Sequence, residues 1–143
     1  SEPLCPAEAA LLGQPVADHW LDDLRTLRDT VLADSDTGLR LIGIYYRHSA
    51  EVSGRLLADP RLAVRAVGLL RVLRADLLDL TVGITPVIDA RESAAIRDLA
   101  TRLMEGASPA LAAELQWLIE ADLTALLQEI SAPSSAAAHQ PAR

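Results

Sequence analysis

The sequence predicts an all-α fold, about five helices in a compact bundle, and three observations predict it. Apolar residues recur every three or four positions through most of the 143 residues, the spacing of one helix face. Aromatic residues make up only 3% of the chain and Phe is absent. The core is therefore Leu, Val, Ile and Ala, which suits helix-on-helix packing better than a sheet. Cap and first-turn pairs also punctuate the chain: Asp59-Pro60, Asp89 with Glu92, and Ser108-Pro109.

Residues 1–15, with three prolines and a glycine, read as an extended N-terminal arm holding at most one helical turn. Pro3 and Pro6 bias Leu4-Cys5 toward extended backbone. A first helix over about Val16 to Ala33 places Trp20, Leu21, Leu24, Leu27, Val31 and Leu32 inside. Asp22, Asp23, Arg25, Arg28 and Asp29 take its other face. Asp34-Ser35-Asp36 ends it and caps the next. The stretch from Ser35 to Pro60 organises the rest. A second helix, about Thr37 to Ala58, carries Leu41, Ile42, Tyr45, Val52 and Leu56 on one stripe. A third, Pro60 to about Leu80, is apolar over more than half its circumference, so it is either central or covered by a second subunit. The segment 83–90 breaks the pattern with Gly83 and Pro86 and reads as a connector after a helical half over 16–82. A C-terminal helical pair fills 91–131: one helix opened by Asp89 and ended by Gly106, and one from Pro109 to Ile130. The tail 132–143 cannot bury enough surface to order itself and is expected to be disordered.

Composition excludes several functions. The formal charge of −7 argues against a nucleic-acid surface. Every apolar run is broken by Arg or Asp before the roughly 20 residues of a membrane helix. Arg61, Arg65, Arg71 and Arg74 spread around the third helix rather than forming a basic face, and are expected to pair with Asp76, Asp79 and other acids, so a membrane-surface role is disfavoured. One cysteine excludes an internal disulfide. Cys5 is left as a packing thiol, an intermolecular disulfide or a covalent attachment point. His19, His48 and His139 show no metal-ligand spacing, and His48 reads as a partly exposed helix residue. Asp22, Asp23 and Glu51 read as solvated-face carboxylates rather than acid–base groups. No phosphate loop, G-x-S-x-G or Cys-x-x-Cys occurs. The chain is expected to be no enzyme and to need no cofactor. Tyr45, Tyr46 and Arg47, together with Leu69 and Leu73 of the third helix, are the candidate interaction residues.

Two segments carry a family likeness: Cys5-Pro6-Ala7-Glu8-Ala9-Ala10-Leu11-Leu12-Gly13 before Leu24-Arg25-Thr26-Leu27-Arg28-Asp29-Thr30-Val31-Leu32, and then Gly38, Tyr45-Tyr46-Arg47-His48-Ser49 and Asp59-Pro60. Over about the first 75 residues this resembles the CFI-box domain, a short module found mostly near the C-terminal end of exported bacterial proteins. The opening departs from the C-F-I-A-T-A-A-Y-G form, keeping Cys5, the alanines and a displaced Gly. The resemblance implies export or an envelope location, with Ser1 as a processed end if so; it brings no activity. The leading expectation is a non-catalytic interaction or assembly module, self-associating or docking on a protein partner through the third or fifth helix. The alternatives are a carrier with a covalent attachment or intermolecular disulfide at Cys5, and an enzyme using Cys5 as nucleophile with His19 or His48 as base.

Overall fold

The computed structural model describes residues 5–131. The expected tail over 132–143, His139 within it, and the first four residues lie outside that range. Among the described residues the chain is all-α, with helices α1 (Pro6–Leu11), α2 (Ala17–Thr30), α3 (Asp36–Arg47), α4 (Ser49–Ala58), α5 (Pro60–Thr81), α6 (Ala90–Met104), α7 (Pro109–Glu120) and α8 (Leu123–Ser131). A single 3-10 turn, Leu32–Asp34, joins α2 to α3.

The expected five helices become eight α-helices, for three local reasons. First, the expected extended arm folds. Cys5 has extended backbone, as the flanking prolines dictate, but it serves as the N-cap of α1 and Pro6 opens the helix. The thiol Sγ accepts the Glu8 N–H at 3.4 Å, and Glu8 Oε1 accepts the Cys5 N–H at 3.4 Å. This is a capping box with Cys in the place of Ser. Ala9, Ala10 and Leu11 enter the core, and Leu11 is fully buried.

Second, the long second helix divides at His48. The Ser49 hydroxyl donates to the Tyr45 carbonyl at 2.8 Å, the back-bonding that bends helices. His48 relaxes to φ −108°, ψ 10°. Third, the last helix divides at Ala121, which is extended at φ −68°, ψ 147°. Asp122 then starts α8 by accepting the Ala125 N–H at 3.2 Å, so 91–131 holds three helices and not a pair. Elsewhere the caps are as read: Ser35, Asp59, Asp89 and Ser108 each accept a first-turn N–H of α3, α5, α6 and α7.

The apolar third helix of the sequence is α5, and it is central. It packs against α1, α2, α4 and α6, while α7 lies on α6 and α8 on α3. The core joins Ala9, Ala10 and Leu11 to Trp20, Leu56, Leu62, Ala66, Val67, Ala100, Leu103, Leu111 and Leu115. Each fully buried Leu contributes roughly 1.5–3 kcal/mol of transfer free energy. Ala at 9, 10, 66 and 100 lets helix backbones approach closely. One contact is tighter still: a Cβ on Gly38 would stand 2.0 Å from the Leu32 carbonyl oxygen, so only glycine lets α3 start against the 3-10 turn.

Candidate functional site

Four consecutive residues end α3 and span its break with α4: Tyr45, Tyr46, Arg47 and His48. Successive helix positions turn by about 100°, so Tyr45, Tyr46 and the Arg47–His48 pair meet three different neighbours. The Tyr45 hydroxyl accepts the Ala7 N–H at 3.0 Å, one of the first-turn N–H groups that α1 cannot satisfy itself. Burial pushes the Tyr45 phenol above its ordinary pKa, and the neighbouring Cys5 pushes it further. The Tyr46 ring stands edge-on to Tyr45, centroids 5.5 Å apart, and its hydroxyl accepts a hydrogen bond from Arg28 of α2. Arg28 in turn holds Asp29 at 2.7 Å. That contact lowers the Asp29 pKa, and Asp29 with Tyr46 raises that of Arg28.

The next residues reach the other way, toward α7. Arg47 donates to Glu114 Oε1, and His48 Nε2 faces Glu114 Oε2. His48 is buried, against the expectation of partial exposure, because the break after Arg47 turns it inward. One turn on, Glu51 Oε2 accepts the Ser108 N–H at 2.7 Å, and Glu51 Oε1 the Ser108 hydroxyl at 2.6 Å. Ser108 also caps Leu111 at 3.3 Å. The two Ser108 donors hold the Glu51 carboxyl below its usual range, so Glu51 is a tertiary cap and not a solvated-face acid. Arg55 completes the row by donating to the carbonyls of Arg102, at 3.1 Å, and of Leu103, satisfying the C-terminal end of α6 where a cation also suits the dipole. Arg47, Glu51 and Arg55 recur every four residues. That i,i+4 spacing is the sequence signal for this polar row.

The remaining candidates are placed apart from this corner. Leu69 and Leu73 are half-buried on α5. They lie on the same helical face as Arg65, which pairs with Asp98 of α6 at 3.1 Å, and Asp76, which meets Glu92 of α6. They therefore belong to the α5–α6 seam. Two of the α5 arginines pair across helices and not with Asp76 or Asp79: Arg65 takes Asp98, and Arg74 takes Asp23 of α2 at 3.1 Å. Acids two or five positions along a helix do not share an arginine's face. Arg74 also covers the Trp20 ring at 5.7 Å, and His19 lies 3.8 Å from Asp23. Asp22 is exposed and pairs with Arg25 at 3.3 Å.

Chemically, the corner is a set of ties. Tyr45 and Cys5 fasten α1, Tyr46 and Arg28 fasten α2, and Arg47, His48, Glu51 and Arg55 fasten α6 and α7. The half-buried thiol of Cys5 is engaged as a cap, and His48, the base considered for it, is turned to Glu114. Among the described residues no group of three or more His, Cys, Asp or Glu could hold a metal ion, and no helix is long and apolar enough to cross a membrane. Neither a family model, nor a curated protein, nor a solved structure matches the chain.

Proposed function

We propose that the chain is a non-catalytic helical assembly module of an exported or envelope-associated complex. The observation that carries this reading is a run of exposed apolar side chains at the end of α5 and along the connector: Leu78, Val82, Ile84 and Val87. Val82 and Val87 are 70% and 78% exposed. Single exposed apolar residues are ordinary on a protein surface; four within ten positions of one short segment are the mark of a contact surface. The docking surface is accordingly the C-terminal end of α5 with the connector, in place of Leu69 and Leu73. The residues that carry the CFI-box resemblance, Cys5, Arg28, Tyr45 and Tyr46, converge on one corner. That convergence supports reading them as a scaffold for the module, and the exported location follows from the resemblance alone.

The first partner to test is a second copy. Sedimentation equilibrium is expected to give a concentration-dependent dimer that Val82→Glu and Val87→Glu abolish while helical circular dichroism stays unchanged. A monomer at every concentration, together with no partner retained specifically by the wild type over Val87→Glu, would sink the module. Fractionation of native cells tests the location, and recovery from the cytosol alone would overturn it. The carrier reading asks Cys5 to leave its cap. The intact mass of natively isolated protein, before and after reduction, decides it: a bare chain removes that role.

A further inference from the structure

Outside the corner, two carboxylates on facing helices hold buried oxygens without hydrogen-bond partners, and Arg74 Nε and Ser53 Oγ are likewise unpartnered. Glu92, in the first turn of α6, is 8% exposed, and Asp76 of α5 faces it across the seam within hydrogen-bonding reach. Glu92 Oε2 and Asp76 Oδ2 are sealed from solvent, and no donor from another group reaches them. Two ionised carboxylates in that position repel strongly in a low-dielectric setting and leave both oxygens unsatisfied. A single proton removes both penalties, because a carboxylic O–H on one donates to the other.

We propose that Asp76 and Glu92 share one proton that latches the α5–α6 seam, and that losing it to solvent loosens the first turn of α6 and the connector before it. Among the described residues no charged group pairs with the buried oxygen of either carboxyl. Asp89, the N-cap of α6, adds negative charge and spends Oδ1 on the Glu92 N–H at 2.8 Å. Arg91 is exposed. Arg97 is committed to Ser93 and to the carbonyls of Ile119 and Ala121 at the end of α7. On α5, Arg74 is turned to Asp23 and Arg65 to Asp98. The hydrogen bond from Asp76, then burial, then the charges of Asp76 and Asp89 push the Glu92 carboxyl up to about 7. An acid raised in the folded state contributes stability that is complete below its ordinary value of 4.5 and lost as pH climbs to about 7. The latch is independent of what the connector docks against.

The test is a carbon-detected NMR titration of the side-chain carboxyls in the full chain, with thermal melts across the same range. The Glu92 carboxyl is expected to titrate near 7. The wild type is expected to lose several degrees of Tm between pH 4.5 and 7, a loss that Glu92→Gln removes. Amide exchange at 90–95 is expected to rise through the transition beyond the rise seen in Glu92→Gln. A Glu92 carboxyl titrating in the ordinary range, or a wild-type Tm profile no steeper than that of Glu92→Gln, overturns the latch. So does millimolar Mg2+ raising the Tm above neutrality in the wild type but not in Glu92→Gln, which would make the pair a cation site. If Glu92→Gln does not fold, Asp76→Asn and the wild-type titration carry the same outcomes.

Discussion

Glu51 and Glu92 each occupy the first turn of a helix, and each faces a neighbouring helix layer, yet their surroundings act on them in opposite directions. Glu51 meets the open N-terminus of α7, where Ser108 offers a backbone N–H and a hydroxyl, and its carboxyl is held low. Glu92 meets Asp76, a second acceptor, and its carboxyl is pushed up. What the partner helix offers decides the sign: donors stabilise the ion, a second carboxylate stabilises the proton. The α4–α7 seam therefore works as a permanent tie, and the α5–α6 seam as a conditional one.

The harshest way to break the comparison is to remove the floor beneath the Glu51 tie. Leu111, whose N–H the Ser108 cap accepts, is 2% exposed. Leu111→Ala is expected to cost about 2–5 kcal/mol in chemical denaturation and to return the Glu51 carboxyl toward its ordinary range. Gly38→Ala comes next. Its new methyl would meet the Leu32 backbone oxygen, so α3 has to shift and carry Tyr45, Tyr46 and Arg47 with it, at about 1–3 kcal/mol. An unchanged melting curve would show that the α3 start is loose. Ser108→Ala removes the local cap and one of the two Glu51 donors, an expected loss of about 0.5–2 kcal/mol.

The smallest effects carry the sharpest contrast, because they differ in sign. A carboxyl lowered in the folded state contributes stability present above its ordinary value and lost as pH falls through the folded pKa. Glu51→Gln is therefore expected to lower the Tm at neutral pH and to converge on the wild type in acid. Glu92→Gln is expected to match the wild type in acid and to exceed it above pH 7. Parallel Tm profiles for the two variants would dissolve the distinction between the seams.

The alternation of helix and cap was legible in the chain. The spans of α2, α5 and α6, and the caps Ser35, Asp59, Asp89 and Ser108, follow from apolar spacing and from Pro beside Ser or Asp, interactions between residues a few positions apart. Two further local signals were present and outweighed. Cys-Pro-x-Glu at 5–8 is a capping box in an unaccustomed residue, and Asp122 is a good N-cap inside a continuous apolar pattern. A periodic run of leucines reads as one helix whether or not a cap interrupts it.

The polar ties, by contrast, came from tertiary structure alone. Arg47 meets Glu114, and Glu51 meets Ser108, across 67 and 57 positions, and no spacing within either segment encodes the other. The same holds for Asp76 and Glu92. In the sequence Asp76 reads as a partner for the α5 arginines and Glu92 as the first-turn companion of the Asp89 cap, until α6 folds back on α5 and excludes water from one carboxyl oxygen of each. Composition and periodicity by themselves determined an all-α chain with an apolar central helix, because helices form from local hydrogen bonds and bury whichever stripe is apolar. Which charges became ties and which became a strained pair was decided by packing, because a charge's energy depends on the groups and the water that the folded chain leaves around it.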